Sequence, residues 1–156
     1  MKRLTALALL LAACAPKSVP IALYRDTTRP VYSIAAFDPA RISGQWVQVA
    51  GFGDTCSGGM MEIGAVTKYN LCLPTGVAAG AGAMSAKVPG RFDLQGLGDF
   101  WVLWADADNR TLVVGAPSGR YGFVLNREAS LPADRLTAAR DILKFNGYDV
   151  EKLRVY

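Results

Sequence analysis

The sequence predicts an all-β domain, an antiparallel sandwich or barrel, followed by one C-terminal helix. Three observations carry this. Apolar runs of strand length, "GQWVQVAGF", "FWVLWAD", "TLVVGAP" and "YGFVLNR", recur with short turns such as "ADNR" and "SGR" between them. A single segment with helical period, "SLPADRLTAARDILKFNG", comes after the last run. The length, 156 residues, allows one domain.

The N-terminus is organised differently. "MKRLTALALLLAAC" has Lys2 and Arg3, an apolar stretch from Leu4 to Leu11, then small residues before Cys14. That is the pattern of a secretory signal, too short in its apolar part to span a bilayer. Leu11-Ala12-Ala13-Cys14 resembles a bacterial lipobox, which implies cleavage after residue 13 and acylation of Cys14, by chains of the palmitate class. Two or more acyl chains hold a protein on a membrane far better than one. Ala15 follows the cysteine, which by the same resemblance implies the outer membrane of a Gram-negative bacterium, on its periplasmic face. Residues 14–40 then read as a tether, with Pro16, Pro20, Pro30 and Pro39 spread through it. Leu23, Tyr24, Val31, Tyr32, Ile34 and Phe37 give this tether apolar groups with which to dock, and it could wrap the closed end of a barrel. Residues 41–156 form the folded domain.

Within that domain, "GQWVQVAGF" is the first strand. "CSGGMMEIG" and "AVTKYNLCL" follow as a hairpin with its turn at Gly64-Ala65. A hairpin centred near residue 64 places Cys56 opposite Cys72, within disulfide reach. An exported domain meets an oxidising compartment, which favours that bridge. A metal site is the alternative, but two cysteines without a histidine are too few ligands for closed zinc coordination. "VAAGAGAMSAKV" is a strand of small residues, and Pro89-Gly90 turns it into "RFDLQG". The three strands from Phe100 to Arg127 are apolar on both faces, so something must cover the outside. The helix does so with a stripe of Leu136, Ala139, Ile142 and Leu143. Ser130 is its N-cap candidate and Asn146-Gly147 its stop. "VEKLRVY" alternates and adds a last strand.

Several function classes are excluded. The 17 basic residues less Lys2 and Arg3 leave 15 against 13 acidic ones, a mild balance with no basic cluster for nucleic acid. The chain has no histidine, so histidine triads and histidine metal sites are ruled out, and the reading is of a non-enzyme without cofactor. Gly51-x-Gly53 and Gly80-x-Gly82 lack the strand-loop-helix setting of a nucleotide loop. Asp106 and Asp108 in "DADNR" read as an acidic turn, since the other ligands of a calcium loop are missing.

Taken in order, Gly44-x-Trp46 in "GQWVQVA", "FWVLWADADNRTLVV", "YGFVLNR" with Arg127, "LKFNGYDVEKL" and the lipobox resemble the lipocalins, specifically the bacterial outer-membrane lipocalins related to apolipoprotein D. The resemblance covers nearly the whole chain. It implies an eight-stranded antiparallel up-and-down barrel, a C-terminal α-helix packed outside and a final short strand. Gly44, Trp46 and Arg127 then form the barrel-closing motif, with Trp46 as the floor and Arg127 lying across its indole as a cation–π partner. The family register points Phe92, Leu94, Phe100, Val102, Trp104, Leu112, Val114, Tyr121, Phe123 and Leu125 inward. That lining implies a hydrophobic small molecule or lipid, such as a fatty acid or lysophospholipid, as the partner. Two departures stand out. Asn109 and Arg110 replace the residues usual after the acidic turn, and the hairpins between residues 56 and 98 are short. They leave the depth of the cavity open. The two expectations are therefore a membrane-anchored lipid binder and a structural or interaction lipoprotein with a filled barrel.

Overall fold

The computed structural model describes residues 22–156. The expected signal segment, residues 1–13, and the expected acylation site Cys14 lie outside the described residues. Among the described residues no helix is long and apolar enough to cross a membrane.

The elements are β1 (Gly44–Phe52), β2 (Gly59–Ile63), β3 (Thr67–Leu73), β4 (Gly76–Gly82), β5 (Met84–Val88), β6 (Arg91–Leu94), β7 (Gly98–Ala105), β8 (Thr111–Gly115), β9 (Gly122–Asn126), α1 (Ala133–Phe145) and β10 (Leu153–Val155). All pairings between them are antiparallel, in the order β4-β3-β2-β1-β9-β8-β7-β6-β5, with β10 added on β1. The two ends of that order, β4 and β5, are consecutive in the chain with only Ala83 between them. They are halves of one bent strand, the first paired with β3 and the second with β6. The sheet thus closes on itself into a nearly complete barrel with eight strand positions, as small barrels require. The small residues of "VAAGAGAMSAKV" allow the bend. At Gly82 a Cβ would stand 2.6 Å from the Cβ of Gln95, in the turn that crosses there.

The barrel has two ends. One carries the start of β1, the β2–β3, β5–β6 and β7–β8 turns, and Arg127. The other carries the loop 53–58, the turns at Pro74-Thr75 and 95–97, and the β8–β9 turn. Before β1, a short 3-10 turn at Pro39–Ile42 crosses the first end. Asp38 caps this turn by accepting from the Ala40 amide at 3.0 Å.

Side chains sort into two apolar clusters. The inner one holds Trp46, Met61, Tyr69, Leu71, Phe92, Leu94, Phe100, Val102, Leu112, Val114, Tyr121, Phe123 and Leu125 among others. The outer one holds Val49, Phe52, Leu103, Val113 and Val124 against Ala139 and Leu143 of α1 and Tyr148. The doubly apolar strands are therefore explained: one face lines the barrel and the other meets the helix. Residues 24–34 run along the outside, fixed by Tyr24 N–H to Gly119 O (2.8 Å), Asp26 N–H to Gly147 O (2.9 Å) and Ile34 N–H to Val102 O (2.9 Å). The guanidinium of Arg25, itself buried, donates to the carbonyls of Asn146, Pro117 and Arg29. This segment docks by backbone pairing as well as by its apolar groups.

The structure departs from expectation in four places, two of them in strand register. The β2–β3 pairing sets Met60 opposite Asn70 and Glu62 opposite Lys68, so Cys56 and Cys72 are not cross-strand partners. β2 begins at Gly59, and Cys56 reaches the bridge from the loop before it. In β7 an extra residue at Leu103 shifts the pairing with β8 between Val102 and Trp104. Leu103 and Trp104 then both face the outer cluster and Ala105 turns inward. The helix begins at Ala133 after Pro132, without a side-chain cap. Ser130 instead offers its carbonyl to Asn126 Nδ2 at 2.9 Å. The final strand is shortened, because Val150–Lys152 form a 3-10 turn first.

Candidate functional site: the barrel interior

The closed end is built around Trp46. Its indole is fully buried and Nε1 donates to Ile42 O at 2.7 Å. The Arg127 guanidinium lies 3.7 Å above the ring. It also donates to Gln45 O (2.9 Å), Ser43 O (3.0 Å) and Arg41 O (3.4 Å). One planar fork thus ties the entry of β1 and the end of β9 to the indole face, a geometry suited to arginine. Partial burial lowers the pKa of Arg127 from its ordinary value. Gly44 has φ +99°, and a Cβ there would lie 3.3 Å from Arg127 Nη1. Glycine is therefore needed both for the turn and for the approach of the guanidinium.

Above this floor the inner face is apolar. Phe92, Leu94, Phe100, Val102, Leu112, Val114, Tyr121, Phe123 and Leu125 all belong to the inner cluster. Trp104 does not, because of the bulge at Leu103, and it stands against the helix-side cluster. The rings touch one another. Phe100 and Phe123 have centroids 6.2 Å apart, Tyr121 and Phe123 6.1 Å, and Phe92 and Phe100 6.5 Å. Phe37 adds an edge contact to Phe92 at 5.9 Å from the segment wrapped beneath the barrel.

Polar atoms on the inner face are few. Tyr69 OH donates to Gln95 O at 3.5 Å, and Tyr121 OH to Asp99 O. Burial raises the pKa of Tyr121, assisted by the Asp99 carboxylate nearby, so its phenol stays protonated. Thr67 Oγ1 is buried with no hydrogen-bond partner; β3 alternation places Thr67 on the same side as Tyr69, Leu71 and Leu73. Among the described residues Arg25 is the one buried charged side chain, and it lies outside the barrel on the carbonyls of Asn146 and Pro117. Among the described residues no group of three His, Cys, Asp or Glu could hold a metal ion.

The other end shows a feature that the sequence did not reveal. β2 leaves the sheet at Gly59, which strands the backbone of Cys72 on β3. Gln48 reaches across from β1 and replaces the missing strand. Its Nε2 donates to Cys72 O and its Oε1 accepts from Cys72 N–H, both at 2.7 Å. Gly59 lies under this bridge, where a Cβ would come within 2.3 Å of Asn70 O. The Cys56–Cys72 disulfide, with Cα atoms 5.6 Å apart, pins the loop 53–58 to the same place. A polar residue within "WVQVA" was the only available signal, and it reads equally as a surface position. Three hollows of about 270, 520 and 310 Å³ lie outside the barrel: over β1–β3 near Met60 and Lys68, beneath it near Asp38 and Asn109, and beside Tyr24 and Arg154.

A barrel of eight strand positions, closed at one end by an arginine-capped tryptophan and covered by a C-terminal helix, defines a lipocalin-type container. The model of the lipocalin-like domain matches residues 74–156, just over half of the chain, and the chain belongs to that family. Among curated proteins, temperature-induced lipocalin-1 of Arabidopsis thaliana is 34% identical over 56 residues, which are 36% of this chain and 30% of that protein. The match thus spans under a third of that relative. Two solved structures share the fold. The siderocalin Ex-FABP, described as having dual ligand specificities, superposes with TM-score 0.55 at 15% identity, over 74% of this chain and 93% of that one. The cockroach allergen Per a 4 superposes with TM-score 0.62 at 10% identity, over 81% and 92%.

Proposed function

We propose that this chain is a membrane-anchored lipocalin that holds one small hydrophobic molecule of the acyl-chain class, a fatty acid or lysophospholipid, inside its barrel. The observation that carries this reading is the inner face: aliphatic and aromatic from Trp46 to Tyr121, with the one buried charge among the described residues, Arg25, outside the barrel. Each buried methylene contributes about 0.8 kcal/mol, so a chain of roughly ten supplies ample driving force before ordering costs. The contacting rings of Phe100, Phe123 and Tyr121 must rotate for such a chain to enter. The lipobox-like "LAAC" supports anchoring through Cys14 at the outer membrane, and the setting supports a role in lipid transport, storage or envelope maintenance. Family membership and the absence of histidine support a binding protein rather than an enzyme.

The ring contacts favour a second reading, a filled barrel that serves as a structural or interaction lipoprotein. Native mass spectrometry of the signal-free domain with fatty acids and lysophospholipids separates the two. The carrier reading expects a one-to-one complex, and a folded domain that takes up neither class rejects it.

A further inference from the structure

The described chain begins beside the end of the barrel opposite Trp46. Tyr24 is held there by Gly119 of the β8–β9 turn, by the Asp149 amide and by the Phe52 ring at 5.2 Å. Cys14 stands nine residues before Leu23 in the sequence, a span of at most roughly 30 Å even fully extended. An anchor at Cys14 therefore keeps Leu23 within roughly 30 Å of the bilayer, in reach of the side along which residues 24–32 run.

That side carries exposed apolar groups. Phe145, the last residue of α1, is 61% exposed, and Tyr32 is 52% exposed. Their rings meet at 5.7 Å, so two aromatics form one outward patch rather than scattered positions. Both are tied to the frame behind them, Tyr32 N–H by Asn146 Oδ1 at 2.7 Å and Phe145 O by Arg29 Nη2 at 3.3 Å. Leu23, 48% exposed, flanks the exit of the chain. Exposed Arg29 and Lys144 adjoin the aromatic pair, and exposed Asp26 and Asp141 are the nearby acids in sequence. Asp26 accepts from the Thr28 hydroxyl and amide, which lower its pKa and keep it ionised, so the two cations at this edge are balanced by two acids and the aromatic pair carries the contact. Aromatic rings beside cations are the composition that settles at the headgroup layer.

We propose that the Tyr32–Phe145 face, with Arg29 and Lys144 at its edge, lies against the lipid bilayer to which the chain is anchored. This rests on the anchored reading of Cys14. The contact lays the barrel on the side along which residues 24–32 run, between Tyr24 at the Gly119 turn and Ser33 at Pro89.

The test uses the signal-free chain coupled through its Cys14 thiol to a maleimide lipid in vesicles of phosphatidylethanolamine and phosphatidylglycerol. Cys56 and Cys72 are bridged, so the coupling is directed to Cys14. Hydrogen–deuterium exchange is compared between the tethered and the free chain. Amides of residues 29, 31–33 and 144–147 are expected to slow about tenfold on tethering. The Y32S/F145S variant, altered only at exposed positions, is expected to lose that slowing while its barrel strands keep their protection. Unchanged rates in these segments overturn the proposal, as does slowing confined to the Val66 turn between β2 and β3. Slowing in the free chain that disappears on dilution overturns it in favour of a second copy on this face. The mass of the native chain from a membrane fraction distinguishes the two levels: no acyl group on Cys14 overturns the anchored reading itself, whereas unslowed amides on tethered vesicles overturn the face alone.

Discussion

Arg127 does more than neutralise a charge or cover a ring. Its fork holds three carbonyls and the face of Trp46 at once, so a point charge on a flexible stem cannot replace it. Arg127→Lys is expected to lower stability by about 1–2 kcal/mol, read as a shift of the urea midpoint at unchanged slope. Tyr148 plays a comparable part between helix and barrel. Its hydroxyl accepts from Ala116 N–H and donates to Tyr121 O, both at 2.9 Å, and burial pushes its pKa up from 10.0 to about 12. A raised pKa means that the folded state favours the neutral phenol. Its contribution is complete below pH 10 and is lost as the pH rises through about 12. Thermal stability is expected to fall over that window in the wild type, and by a smaller amount in Tyr148→Phe, which is less stable at neutral pH because Ala116 N–H loses its partner. Trp104, expected inside, lies outside. Trp104→Ala is therefore expected to leave ligand affinity unchanged within about twofold, since remote sites act independently of the pocket.

Among the elements, strand existence and the fold class were legible because apolar runs and turn residues punctuate the chain regularly. What escaped was register. A bulge inserts one residue without any composition signal, so the alternation that holds from Phe100 to Val102 breaks at Leu103, and everything after it reverses. The bulge between Gln48 and Ala50 in β1 has the same effect, placing both Val49 and Ala50 in the outer cluster. The disulfide was foreseen from a hairpin register two positions away from the one that forms. The bridge exists because a loop, not a strand, carries Cys56 to β3. The Gln48 bridge was illegible for a related reason: nothing in the sequence shows that β2 stops short of Cys72. The closed loop between the cysteines has a sequence separation of 16. Removing the bridge in the C56S/C72S variant is expected to cost about 3 kcal/mol, measured by denaturant unfolding. Gln48 should keep β3 in place when the bridge is gone, so β3 amides are expected to stay protected while those of 53–58 exchange freely.

On the scale of the whole molecule, the sequence foretold a barrel with an apolar interior, and in the structure the rings of that interior meet one another. Closure is achieved with a strand bent at Ala83 and with short β5 and β6, which bring the turn at Gln95 and Leu97 against the core. The nine inward residues legible from the family register are indeed gathered in one cluster, but in mutual contact. Whether those rings yield to a ligand is an energetic matter that strand periodicity does not encode. Truncating Phe123 to Ala removes the ring that touches both Phe100 and Tyr121. It is expected to cost about 3–5 kcal/mol of stability while opening space for a guest. The most direct test of the central claim is titration of residues 15–156 with saturated fatty acids of increasing chain length, followed by native mass spectrometry. The account predicts one bound acid per chain, tighter with each added methylene until the barrel is filled, and tighter still in Phe123→Ala at the longest lengths. A folded wild type and a folded Phe123→Ala that bind none of the series would contradict it and leave the barrel as a solid core.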